Sequence, residues 1–136
     1  MDWILDRLAC GSLSDAARCT KGDADTIVTL SQELPMLTHG HKSLHAPMDD
    51  DKPWPFAKCA ELVQYVSREL HDGKRVLVHC HGGVTRSPAL CMAYLAGCGF
   101  SLDAARQWVE KKRTEAVRMH PTVWGSIVTW WMTRGV

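Results

Sequence analysis

Cys80, Arg86 six residues on, and Ser87 directly after it are the residues of this 136-residue chain whose types and spacing could do chemistry together. A thiolate is a nucleophile, and a guanidinium presents a planar fork of donors that fits two oxygens of a phosphoryl group, which a lysine's point charge does not. Between them stand Gly82 and Gly83, expected to reach backbone dihedrals closed to residues with a Cβ. Successive N–H groups of such a segment can turn inward as an anion-binding nest. The ligand implied is a phosphate dianion held against a sulfur by His81, Gly82, Gly83, Val84, Thr85 and Arg86.

Two elements must position this loop. Val76, Leu77 and Val78 form a β-branched apolar run, as expected of a strand buried on both faces, so the loop starts at a strand's carboxyl end, where open α/β sheets bind ligands. After the loop, Ser87 is expected to be an N-cap and Pro88 the first helical residue. The positive end of that helix, together with Arg86, favours anions and is expected to hold Cys80 largely as thiolate at neutral pH. A cysteine and arginine at this spacing are weak on their own, since six cysteines give roughly a one-in-three chance of an accidental match at ordinary arginine frequency. Specificity comes from the strand before, His79, the paired glycines, the Ser-Pro pair and the apolar residues Leu90, Met92, Ala93, Tyr94 and Leu95 after it.

Residues 79–87 resemble the His-Cys-x-x-Gly-x-x-Arg-Ser signature of cysteine-dependent protein tyrosine phosphatases, most closely the small dual-specificity branch. The outline extends along nearly the whole chain. Trp3, Asp6 or Arg7, Leu8 and Gly11-Ser12 match the opening of compact members, followed by strands at 26–30 and 43–46 and an acidic loop. The resemblance implies a single catalytic domain over 1–136, built on a mostly parallel sheet of four to five strands flanked by helices. It also implies an activity: hydrolysis of phosphotyrosine and of phosphoserine or phosphothreonine in proteins, through a phosphocysteine formed on Cys80.

A leaving alcohol or phenol needs a proton, and the loop around Asp49, Asp50 and Asp51 is expected to supply it. The residue types leave all three open; the resemblance aligns Asp50 best as general acid and base. It also implies that Ser87 stabilises the departing thiolate and that His79 supports the loop from its far side. Thr85 reads either as a donor to the loop or as a structural turn residue. His81 stands where a lysine or glutamate is common, Gly82 where alanine is, and Thr122 where a Pro-Asn pair would place an asparagine, which removes asparagine-dependent bracing of the loop. Two readings from other classes remain: an idle phosphate-binding module, and a sulfurtransferase or arsenate reductase built on a similar loop.

Composition is consistent with one small enzyme. Net charge is +1 with no basic run, so neither nucleic acid nor an anionic membrane surface is expected as partner, and no apolar stretch is long enough to span a bilayer. The six cysteines lack paired short spacings, which fits a reducing cytoplasm better than a disulfide framework or a zinc site. The expected protein is a cytoplasmic monomer without cofactor or metal, acting on a phosphorylated protein or peptide. Five cysteines read as small buried hydrophobes; Cys10, read as ending the first strand, could also approach the loop and trap oxidised Cys80. His39, His41 and His45 lack an acid or cysteine to complete a metal site. Ser14 is expected to cap a helix at 15–18, Phe56 to Leu70 recur at helical spacing with Gly73 as the stop, Ser101 caps a further helix, and Pro121 starts the last. There Trp124, Ile127, Val128 and Trp131 are expected to face the core, with Trp130 off the stripe and Trp54 either a packing anchor or a lid.

Overall fold

The apolar segment Val76–His79 lies at the centre of a five-stranded sheet and is buried throughout. The structure, a computed structural model, describes residues 1–35 and 40–134. Its strands are β1 (Asp2–Leu5), β2 (Leu8–Gly11), β3 (Thr26–Thr29), β4 (Lys42–His45) and β5 (Val76–His79), in the spatial order β1-β2-β5-β3-β4. β2, β5, β3 and β4 are parallel, and β1 folds back antiparallel on β2. The register aligns Gly11, Thr29 and His79, so three neighbouring strands end level with one another at the edge from which the loop springs.

Alternation along the strands divides the core. Leu8, Cys10, Val28, Val76 and Val78 join the larger cluster, to which α2 (Phe56–His71), α3 (Arg86–Gly97), α4 (Leu102–Lys112) and α5 (Pro121–Thr133) contribute. Ala9, Ile27 and Leu77 face the other way, against Ala16 of the short helix α1 (Leu13–Arg18), Cys19 and Ala24. α3 is buried from residue 86 to residue 96 because other elements sheathe it on all sides, which explains its apolar sequence.

Several boundaries differ from expectation for local reasons. α1 is capped by Ser12, not Ser14: the Ser12 hydroxyl accepts from the Asp15 N–H at 3.2 Å while the Asp15 carboxylate accepts from the Ser12 N–H at 2.9 Å, a reciprocal box that Ser14, inside the first turn, cannot form. Ser101 caps α4 as expected, accepting from the Ala104 N–H. On α5 the buried residues are Val123, Ser126, Ile127 and Trp130, whereas Trp124, Val128 and Trp131 are only partly covered. The apolar residues of this helix span so wide an arc that packing, not periodicity, selects which of them turns inward. Cys98, one residue past the end of α3, is exposed; the other five cysteines are buried and all six are free. Among the described residues no helix is long and apolar enough to cross a membrane.

Candidate active site

At the end of β5 the chain enters the loop 80–86, which is held from behind by its neighbours. The Cys80 N–H donates to the Gly11 carbonyl at 3.3 Å, and the His81 carbonyl accepts from the Leu13 N–H at 2.9 Å. His79 is fully buried. One ring nitrogen meets the Thr29 hydroxyl at 2.8 Å and the other the Cys80 carbonyl at 3.1 Å, matching the support role expected of it. Burial keeps its pKa below the ordinary histidine value, partly opposed by the bond to the Cys80 carbonyl.

Of the two glycines only Gly83 adopts a positive φ, of +70°. A Cβ there would stand 2.2 Å from Arg113 Nη2, whereas one on Gly82 would meet nothing closer than Val84 at 3.7 Å. Gly82 therefore does not need the freedom expected of it, and Gly83 does. Arg113, just beyond α4, explains the difference: its Nε donates to the Gly83 carbonyl at 2.7 Å, and its Nη2 to the Gly82 carbonyl at 3.4 Å. It is 6% exposed and paired with Asp2 at 3.0 Å. Arg113 braces the loop where an asparagine after Pro121 is lacking, and sequence reading missed it. The signal lay in the loop: if its amides turn toward an anion, carbonyls turn away, and buried carbonyls need donors.

Thr85 is the N-cap residue of α3, and its hydroxyl accepts from the His120 N–H at 3.2 Å, so its visible role is structural. Ser87 is consequently not the cap but lies in the first helical turn. Its hydroxyl is needed elsewhere: it sits 3.3 Å from Cys80 Sγ and 3.1 Å from the Gly11 carbonyl, and Cys10 Sγ donates to it at 3.4 Å. The single hydroxyl proton can go to Gly11 or to Cys80; an anionic sulfur would draw it, and the Ser87 N–H points at the same sulfur from 3.4 Å. Cys10 lies on the second strand, not the first, and reaches the back of the loop. The adjacent Cys91 thiol has its pKa pushed well above the ordinary value by its hydrogen bond to Cys10 and by burial.

In front of Cys80 opens a cleft of about 660 Å³, lined by Gln32, Glu33, Met48, Asp49, Asp50, Cys80, His81, Gly82, Val84, Thr85 and Arg86. The backbone N–H groups of 81–86 donate to no other group among the described residues. Arg86 is 7% exposed; its Nη1 donates to the carbonyls of Met48 at 3.1 Å and Leu30 at 3.4 Å, while its Nε is buried without a partner. A cleft lined by a sulfur, by partnerless amides and by an arginine suits a tetrahedral oxyanion.

Asp49 and Asp50 line the cleft and Asp51 does not; all three are exposed. Trp54, 4% exposed, donates from its indole to the Asp49 carbonyl at 2.9 Å, which makes it an anchor beneath the acidic loop and not a lid. His81 is exposed at the mouth. His45 bonds to the Ser31 carbonyl, His39 lies outside the described residues, and no group of three potential ligands is poised for a metal among the described residues.

The chain is similar in sequence and fold to known proteins. Residues 11–132 match the family of the dual specificity phosphatase catalytic domain. Human dual specificity protein phosphatase 1 is 29% identical over 117 residues, covering 82% of this chain and 32% of that protein, and Xenopus laevis dual specificity protein phosphatase 1-A is 31% identical over 121 residues, covering 82% and 32%. The chain thus spans about a third of the length of these relatives. The crystal structure of human DUSP28 superposes with a TM-score of 0.89 at 25% identity, over 99% of this chain and 98% of that one. The family match takes in most of the chain, and the chain belongs to the dual specificity phosphatase catalytic domain family.

Proposed function

We propose that this chain hydrolyses phosphate monoesters on protein side chains, phosphotyrosine together with phosphoserine or phosphothreonine, through a phosphocysteine intermediate. The observation that carries the proposal is Arg86, a buried guanidinium with an unpaired Nε, beside partnerless amides and a sulfur. An unpaired buried charge is costly, and a bound dianion removes that cost.

In the first step a Cys80 sulfur lone pair attacks phosphorus in line. The ester P–O bond breaks, its electron pair leaves on the substrate oxygen, and Asp50 delivers a proton to that oxygen. Arg86 and the amides of His81, Gly82, Gly83, Val84 and Thr85 hold the three equatorial oxygens. In the second step the Asp50 carboxylate takes a proton from water as its oxygen attacks phosphorus. The S–P bond breaks, and sulfur leaves as a thiolate that accepts from the Ser87 hydroxyl. The scheme uses no metal ion or cofactor. Asp50 is preferred because Asp51 is off the cleft and the Asp49 backbone is held by Trp54.

The test is turnover of para-nitrophenyl phosphate and a phosphotyrosine peptide, with acid quench and mass analysis of the Cys80 peptide. Expected are a phosphoryl adduct on Cys80, no turnover in Cys80→Ser, and a fall in kcat of about 100- to 10,000-fold in Asp50→Asn. Turnover surviving in Cys80→Ser would overturn the proposal, and the large loss appearing in Asp49→Asn instead would reassign the acid.

A further inference from the structure

The charges around the cleft are unequal on its two sides. Glu33, in the segment after β3, and Asp49 and Asp50, after β4, all line it. β3 and β4 are parallel neighbours, so these three carboxylates rise from the same edge of the sheet. The opposite wall, built by the loop, contributes His81, Gly82, Val84 and Thr85. Apart from Arg86, no lysine or arginine lines the cleft among the described residues.

Carboxylates alone would be an ordinary solvated rim. What gives them meaning is Arg86, which lines the same cleft, is more than nine-tenths buried and leaves its Nε without a partner, because it marks where the first anion sits and commits the cleft's one guanidinium to it. Anything attached to that phosphate then meets an acidic wall with no cation left for a second anion. A cleft lined by one sign of charge selects its occupant by field as well as by contact.

Resting on the phosphatase reading, we infer that this site takes a singly phosphorylated residue flanked by lysine or arginine, with Glu33 as the specificity residue, and turns away polyanions such as multiply phosphorylated peptides and phosphoinositide headgroups. The discrimination uses both signs: basic flanks are attracted to the β3–β4 wall, and a second phosphate is repelled by it.

The experiment compares kcat/KM for two phosphotyrosine peptides of equal length, one with arginines and one with glutamates beside the phosphoresidue. Para-nitrophenyl phosphate, which has no flanking charge, serves as reference. The basic peptide is expected to be favoured roughly tenfold at low salt, as a few exposed charge pairs can supply. The ratio should shrink in about 0.5 M salt, where the Debye length falls below the reach of the flanks. Because the ratio is read within each variant, any change common to both peptides cancels. Glu33→Gln should reduce it and Glu33→Lys should bring it to parity or invert it. A native ratio at or below one, a ratio indifferent to Glu33→Lys, or better turnover of a doubly phosphorylated peptide or of phosphoinositide vesicles would overturn the inference. Turnover of nitrophenyl phosphate without peptide preference sinks this inference alone, whereas no turnover of any substrate, nitrophenyl phosphate included, sinks the phosphatase reading and the inference with it.

Discussion

Two loops face each other across the cleft, and they are held by opposite means. The loop 80–86 is fastened from behind by Gly11, Leu13, Arg113 and the His120 backbone. The acidic loop exposes Asp49, Asp50 and Asp51 and is anchored through backbone carbonyls, that of Met48 to Arg86 and that of Asp49 to Trp54. The contrast fits two tasks. Stabilising charge on a transferring phosphoryl group rewards donors fixed in advance, while a proton donor needs only to reach one oxygen. Rigidity is concentrated where the anion is expected.

The contrast is broken most severely at its shared member. Arg86 lines the cleft and also ties the acidic loop through Met48, so Arg86→Lys should lower kcat about 100- to 1,000-fold with little change in far-UV circular dichroism, since a point charge replaces a bidentate fork. A lysine enzyme within tenfold of native would show that the fork is dispensable.

Arg113→Met tests the bracing directly. It leaves two loop carbonyls without their donor and should cost about 2–4 kcal/mol in urea denaturation, with turnover falling in parallel. Stability lost without loss of activity would mean that the loop keeps its shape unaided.

The paired glycines sharpen the point within one loop. Gly83→Ala forces a side chain into a positive φ and against Arg113, at a cost of about 2 kcal/mol or more, whereas Gly82→Ala should stay within about 0.5 kcal/mol of native. Equal effects would contradict the backbone described.

The smallest effect concerns acid. His79 binds a proton less readily folded than unfolded, so the folded state takes up fewer protons as pH falls below about 6.5, and stability declines toward its depressed folded pKa with a slope approaching about 1.4 kcal/mol per pH unit. Chemical denaturation between pH 7 and 5 should show that decline in the native protein and a weaker one in His79→Asn. Asp51→Asn, in the solvated loop, should leave it unchanged.

Legibility in the sequence followed the same division. Strand, nucleophile, glycines, arginine and helix stand within a dozen residues, and local stereochemistry makes such a segment nearly self-describing. Errors arose where a residue's environment came from afar. Ser87 looked like a cap because serine before proline usually is one, yet a sulfur seven residues earlier and a carbonyl on β2 claim its hydroxyl. Trp130 is buried although it falls off the helical stripe of Trp124, Ile127, Val128 and Trp131. Among the three aspartates residue type offered no choice and the family resemblance favoured Asp50; the cleft sets Asp51 apart.

What the amino-acid order determined by itself was the loop 80–86 with the strand and helix that bear it, since backbone propensity and hydrogen-bond capacity act over a few residues. What only the tertiary structure decided was who satisfies that loop from behind and which charges confront its ligand. Arg113 reaches Gly83 from 30 residues away, and Glu33 joins Asp49 and Asp50 only because β3 and β4 lie side by side. Buried carbonyls must find donors and adjacent parallel strands must end at one edge, but which residues meet those demands is set by packing, and packing is not written in any single stretch of the chain.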